Sequence, residues 1–121
     1  MIQQPGVPKW VLGVLNNLYD IEKKIDSHGD NSNIKRNVDR IREIFQDEKI
    51  FYENPLGQKF TETRTDLDAT ITGEGAEDLY VVEVIKPIVR VGNQNYSVVV
   101  QKGIVVVQSK ENGSEKEAVN V

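Results

Sequence analysis

The fold turns on one stretch, VVEVIKPIVRVGNQNYSVVVQKGIVVV, which runs from Val81 to Val107. β-Branched residues crowd it, and these favour extended backbone because their side chains pack well on a pleated surface. One Pro, two Gly and a polar patch cut it into pieces of strand length. With the two residues before it, the stretch predicts strands over Leu79–Ile85, Ile88–Val91, Tyr96–Gln101 and Ile104–Gln108. Pro87 has no N–H to give a ladder, so it marks an edge or a break. Upstream, Leu67, Ala69 and Ile71 alternate with polar neighbours, the pattern of a half-buried strand. The segment Glu53–Phe60, with Pro55 and Gly57, reads as a turn, and Gly73–Asp78 as a flexible acidic loop. These pieces predict a small antiparallel β-domain over residues 51–110, followed by a polar, frayed tail over 111–121.

Before residue 50 the apolar period is different. Val11, Val14, Leu15, Leu18, Ile21 and Ile25 recur at spacings of three and four, the one-sided stripe of an amphipathic helix. Pro8 suits the first turn, where a missing N–H has no intrahelical partner to lose. Gly29 suits a left-handed stop. The run Asp30–Asn33 then offers side-chain acceptors to the orphan N–H groups of a second helix. On that helix Ile34, Val38, Ile41 and Phe45 share a face, with Ile44 at its edge. The short connection predicts an antiparallel helical hairpin over residues 7–50. Two helices with one stripe each cannot close a core between them. A second copy completes it, so this hairpin is expected to form half of a dimeric four-helix bundle. The fold class expected is therefore α+β, a helical hairpin for dimerisation followed by a β-domain for partner binding.

Composition narrows the function. The 121 residues are 38% hydrophobic and 28% charged, an ordinary globular balance, with a net charge of −4. Residues 1–60 hold nine Lys/Arg and nine Asp/Glu, leaving six and ten for the remainder. Neither half has the basic surplus that phosphate backbones or anionic membranes attract, so no nucleic-acid or membrane partner is expected. Nothing resembles a secretory leader or a span of roughly 18 apolar residues. With no Cys in the chain, a reducing, cytoplasmic location is the expectation.

Catalytic chemistry finds little support in the residues. His28 is the one imidazole and falls at a predicted helix end without partners in sequence. Gly73 and Gly75 suggest a phosphate cradle, yet no Lys-Ser/Thr follows, and Glu74, Glu77 and Asp78 would repel phosphate. Asp66 and Asp68 share a strand face, which is more often a solvated edge than a cation site. Trp10 at a helix start suits an apolar staple or a dimer contact. No cofactor or metal is expected, and binding is a better class than catalysis.

In this order the motifs resemble the GrpE family, nucleotide exchange factors of DnaK-type chaperones. Val14-Leu15-Asn16-Asn17-Leu18 is similar to that family's V-L-D-N-L element, and Ile34–Ile50 has the spacing of its second bundle helix. Pro55-Leu56-Gly57, two residues before Phe60, resembles its P-L-G-x-x-F link. Val81-Val82-Glu83-Val84 reproduces its V-V-E-V strand, Arg90-Val91-Gly92 resembles its R-L-G turn, and Val105-Val106-Val107 its closing strand. The long helix that usually precedes the bundle has no counterpart. Leu67 stands where the family's F-D-P-N-x-H-E-A pattern has His, and Gln101-Lys102-Gly103 where it has R-P-A or R-A-A. The resemblance implies a homodimer whose β-domain docks on a chaperone's nucleotide-binding domain. It assigns partner contact to Leu67, Arg90, Gln101, Lys102 and Ile104. The family's Arg at Gln101 is one of its chaperone contacts, and losing such a charge-assisted bond costs about 1.5–3 kcal/mol. A structural or adaptor domain without exchange activity is the alternative.

Overall fold

The computed structural model describes residues 6–30, 32–93 and 95–110. Along the chain run α1 (Lys9–His28), α2 (Lys35–Asp47), β1 (Ile50–Glu53), β2 (Leu67–Thr72), β3 (Leu79–Lys86), β4 (Ile88–Gly92), β5 (Ser97–Gln101) and β6 (Gly103–Ser109). The fold is α+β, and the chain divides into two compact units. One contains the described residues up to Glu53 together with those of Val89–Gln101; the other contains Asn54–Ile88 and the described residues from Lys102 onward.

In the first unit the helix boundaries follow the local signals. Pro8 caps α1 with an extended ψ of 149°, and its carbonyl accepts from the Val11 N–H at 3.0 Å. Gly29 ends the helix at a φ of 87°, its N–H donating back to the Ile25 carbonyl at 2.7 Å. A side chain would be strained there. The Asp30 carboxylate accepts from the Ile34 N–H at 2.6 Å and also from Lys35 N–H, so one acidic side chain serves the start of α2. Beside the helices lies a three-stranded sheet in the order β1-β4-β5, with β4 and β5 antiparallel. At the β4–β5 turn Gly92 has a φ of 136°, and a Cβ there would sit 2.3 Å from the Tyr96 carbonyl oxygen.

The core of this unit joins helices to sheet. Val11, Leu15, Leu18 and Val38 are buried with Val89, and Ile25, Phe45, Ile50, Tyr52 and Val100 pack around them. This corrects an expectation. Part of the helical stripe is covered by the chain's own strands, because Val89 and Val100 return beside the helices after the chain has passed through the second unit.

The second unit holds the sheet β2-β6-β3. β6 is central, and Gly103, Val105, Val107 and Ser109 are buried on one of its faces. β3 runs antiparallel to it, with register shifts after Val81 and after Val84 that leave Val82 and Ile85 exposed. β2 runs parallel to β6, pairing Leu67 with Gly103 through Thr72 with Gln108. A Cβ on Gly103 would come within 2.9 Å of Ile88 and 3.0 Å of Leu67, so glycine allows that close approach.

The single antiparallel β-domain over 51–110 is therefore corrected to two small sheets, one of them mixed. β1 and most of β4–β5 belong with the helices rather than with the other strands. The expected tail, residues 111–121, lies outside the described residues.

Candidate functional site

The helices leave several large apolar side chains open. Their period places Trp10, Val14 and Ile21 on α1, and Ile41 and Ile44 on α2, along one flank of the buried row. Trp10 is 66% exposed and Ile44 62%, while Val14, Ile21 and Ile41 are each a little over a third exposed. A groove of about 420 Å³ on α1 is lined by Trp10, Gly13, Val14, Asn17, Leu18 and Ile21. Nothing stands within 4 Å of a Cβ placed on Gly13, so the groove floor is open backbone.

The ten residues expected at the dimer interface thus divide. Val11, Leu15, Leu18 and Val38 are buried within one chain, and Ile25 and Phe45 are half-buried against the same cluster. Val14, Ile21, Ile34 and Ile41 remain exposed.

Between the helices and β1 lies a polar clamp. The Glu22 carboxylate accepts from Arg42 Nη1 at 2.8 Å and from the Tyr52 hydroxyl. The Tyr19 and Tyr52 rings meet edge-on, their centroids 6.0 Å apart, a favourable aromatic geometry. Tyr19 is buried. Its hydroxyl pKa is pushed up to about 12, first by burial and then by the negative charges of Asp20, Glu22 and Asp26.

The five residues expected to touch a partner are drawn from both units. Arg90 and Gln101 belong to the first unit, and Leu67, Lys102 and Ile104 to the second. Leu67 is only 5% exposed, because its strand position turns it toward Gly103 and the buried face; its expected role as a surface contact is corrected. Arg90 reaches Glu53 Oε1 through Nε at 3.4 Å and Nη2 at 3.3 Å. Gln101 and Asn16 exchange amide hydrogen bonds at 2.9 and 3.2 Å, tying β5 to α1. Lys102 is exposed, and Ile104 is 37% exposed on the outer face of β6.

Neither periodicity nor charge pattern in the sequence singles out Asn16, Glu22, Tyr52 or Glu53. Asn16 carries no periodic signal, since it lies off the apolar stripe of Val11, Leu15 and Leu18 and meets Gln101 only because β5 returns beside α1. The others depend on β1, whose four residues give no alternation. Phe51, Glu53, Arg90, Asn93 and Ser97 also line an open pocket of about 340 Å³, where the Arg90 charge is countered by Glu53. His28 is exposed in the last turn of α1.

Among the described residues no group of three or more His, Cys, Asp or Glu is placed to hold a metal ion, and no helix is long and apolar enough to cross a membrane. No family model matches the chain, and no curated protein or solved structure matches it either. Fold and surface define a small α+β protein with an uncovered helical face.

Proposed function

We propose that this chain is a GrpE-like nucleotide exchange or docking factor, acting as a homodimer on the nucleotide-binding domain of a DnaK-type chaperone and promoting ADP release. One observation carries the binding class: Trp10, Val14, Ile21, Ile34, Ile41 and Ile44 stay exposed after the helices have buried Val11, Leu15, Leu18 and Val38. Exposed apolar side chains gathered on helices in this number suit protein contact. A helical hairpin from a second copy, forming a four-helix bundle, would cover it. The particular family rests on the motif order, in which Pro55-Leu56-Gly57 follows β1, the V-V-E-V run opens within β3 and the V-V-V run lies in β6.

Exchange of this type needs no catalytic group. A binder that prefers the open cleft of a nucleotide-holding domain lowers nucleotide affinity by the same factor. Tenfold loosening corresponds to about 1.4 kcal/mol of differential binding. Of the residues assigned to partner contact, Lys102 and Ile104 have the exposed side chains that docking requires. The measurement is release of labelled ADP from a DnaK-type chaperone of the same organism. Acceleration by the protein, reduced by Ile104→Asp, is the expected result. No acceleration with any such chaperone rejects the reading.

A second reading is favoured by the Asn16–Gln101 pair. An amide held inside its own unit stands where the family carries a contacting Arg, which suits a structural or adaptor domain without exchange. Recovery of a non-chaperone partner, together with unchanged ADP release, selects it.

A further inference from the structure

The second unit's sheet ends on two unlike edges. Beyond β3, Gly57 N–H donates to the Val81 carbonyl and Val81 N–H to the Gln58 carbonyl, each at 2.9 Å, and Phe60 N–H donates to Leu79 at 2.8 Å. Two register shifts and Pro87 further disable that edge. β2 has none of these devices. It is the outer strand next to β6, it contains no Pro, Lys or bulge, and Asp68, Thr70, Ile71 and Thr72 are exposed.

The side of β2 that faces outward can be worked out. The Asp66 carbonyl accepts from Gly103 N–H at 2.9 Å, so it points toward β6. Backbone groups alternate sides along a strand, and the parallel register continues from Leu67–Gly103 to Thr72–Gln108. Asp68, Thr70 and Thr72 therefore direct their N–H and C=O groups to β6. Leu67, Ala69 and Ile71 direct theirs outward, where no described residue takes them up.

The sequence Leu67-Asp68-Ala69-Thr70-Ile71-Thr72 is complementary to itself in one antiparallel register. Outward groups must oppose outward groups, which restricts the two-fold axis to Asp68, Ala69 or Thr70. An axis at Asp68 opposes two carboxylates. An axis at Thr70 puts Leu67 opposite Gly73, whose φ of 79° has left the strand. An axis at Ala69 opposes Leu67 with Ile71 and Asp68 with Thr70. It covers Ile71, which is 49% exposed, and brings each Thr70 hydroxyl to an Asp68 carboxylate in a non-hydrogen-bonded pair, where side chains approach most closely.

We infer that β2 is a self-pairing edge: a second copy of this chain adds its β2 antiparallel about an axis at Ala69, joining two three-stranded sheets into one of six. The contact is small and so belongs to concentrated protein. It is independent of the helical face invoked for the proposed function.

Because the chain has no Cys, single thiols report on it cleanly. Backbones in a hydrogen-bonded antiparallel pair lie about 5.5 Å apart at Cα, within disulfide reach. Ala69→Cys should form a disulfide-linked dimer under mild oxidation, whereas Thr72→Cys, whose copies lie about 20 Å apart in this register, should not. In the Ala69→Cys background, Thr70→Glu should reduce trapping at least tenfold by facing Asp68, and Thr70→Lys should raise it. In the wild-type chain, amide exchange at Ala69 and Ile71 should slow as concentration rises. Absence of the Ala69→Cys dimer, equal trapping through Thr72→Cys, or equal effects of Glu and Lys would each overturn the inference. Adding Val14→Asp should leave the trapping yield unchanged; a lost yield would mean the cross-link reports the helical contact instead.

Discussion

Tyr19 is a buried phenol among carboxylates, and its chemistry sets an alkaline limit on the first unit. Its pKa rises from 10.0 to about 12 because burial and then the charges of Asp20, Glu22 and Asp26 disfavour the phenolate. The stabilisation from the neutral form is present in full below pH 10 and is lost as pH rises through about 12. At one pKa unit per 1.36 kcal/mol, the loss amounts to ~2–3 kcal/mol. Urea unfolding followed from pH 9 to pH 12 should show the wild type losing stability more steeply than Tyr19→Phe. Parallel curves would place the titration elsewhere. Gln101 shows a different lesson at the same scale. Its motif position suggested a partner contact, but a planar amide finds its match in the Asn16 amide, and both ends of each group are satisfied within the chain.

Helix, helix and strand meet at Glu22. Its carboxylate takes Arg42 from α2 and Tyr52 from β1, so three elements share one half-buried anion. Removing one partner leaves the others uncompensated, and groups in such a network couple by ~0.5–3 kcal/mol. A double-mutant cycle of Glu22→Gln with Tyr52→Phe, read by urea midpoint, should return coupling in that range. The exposed Lys35–Asp39 pair along α2 should couple by only about 0.3–0.5 kcal/mol. Equal coupling at the two places would contradict the burial argument. Much of this level is legible in sequence. Spacing and caps place both helices, and Pro87 and Lys102-Gly103 divide the strands close to where they divide in space, because those signals act within a few residues. β1 is not legible: Ile50-Phe51-Tyr52-Glu53 is four residues against the end of a helix, too short for a period. Neither is the parallel pairing of β2 with β6, since the two strands are more than 30 residues apart in sequence and no local signal chooses a direction.

Over the whole molecule, burial tells fold residues from contact residues. Leu15 is 0% exposed in the single chain, whereas Val14 and Ile41 are each 38% exposed. Leu15→Ala should lower stability by ~2–5 kcal/mol through loss of packing and a cavity. Val14→Asp and Ile41→Asp should leave the unfolding midpoint of the monomer within ~0.5 kcal/mol and abolish dimerisation in sedimentation. A wild-type chain that sediments as a monomer at micromolar concentration would remove the bundle from the proposed function. The residues by themselves determined where helix gives way to strand, where each element stops and that the helices carry more apolar side chains than two helices can hide. Only the tertiary structure decided which of those side chains the chain covers for itself, which strands are neighbours and which way β2 runs. Local backbone preference acts over a few residues, but burial and strand pairing depend on what the rest of the chain brings alongside.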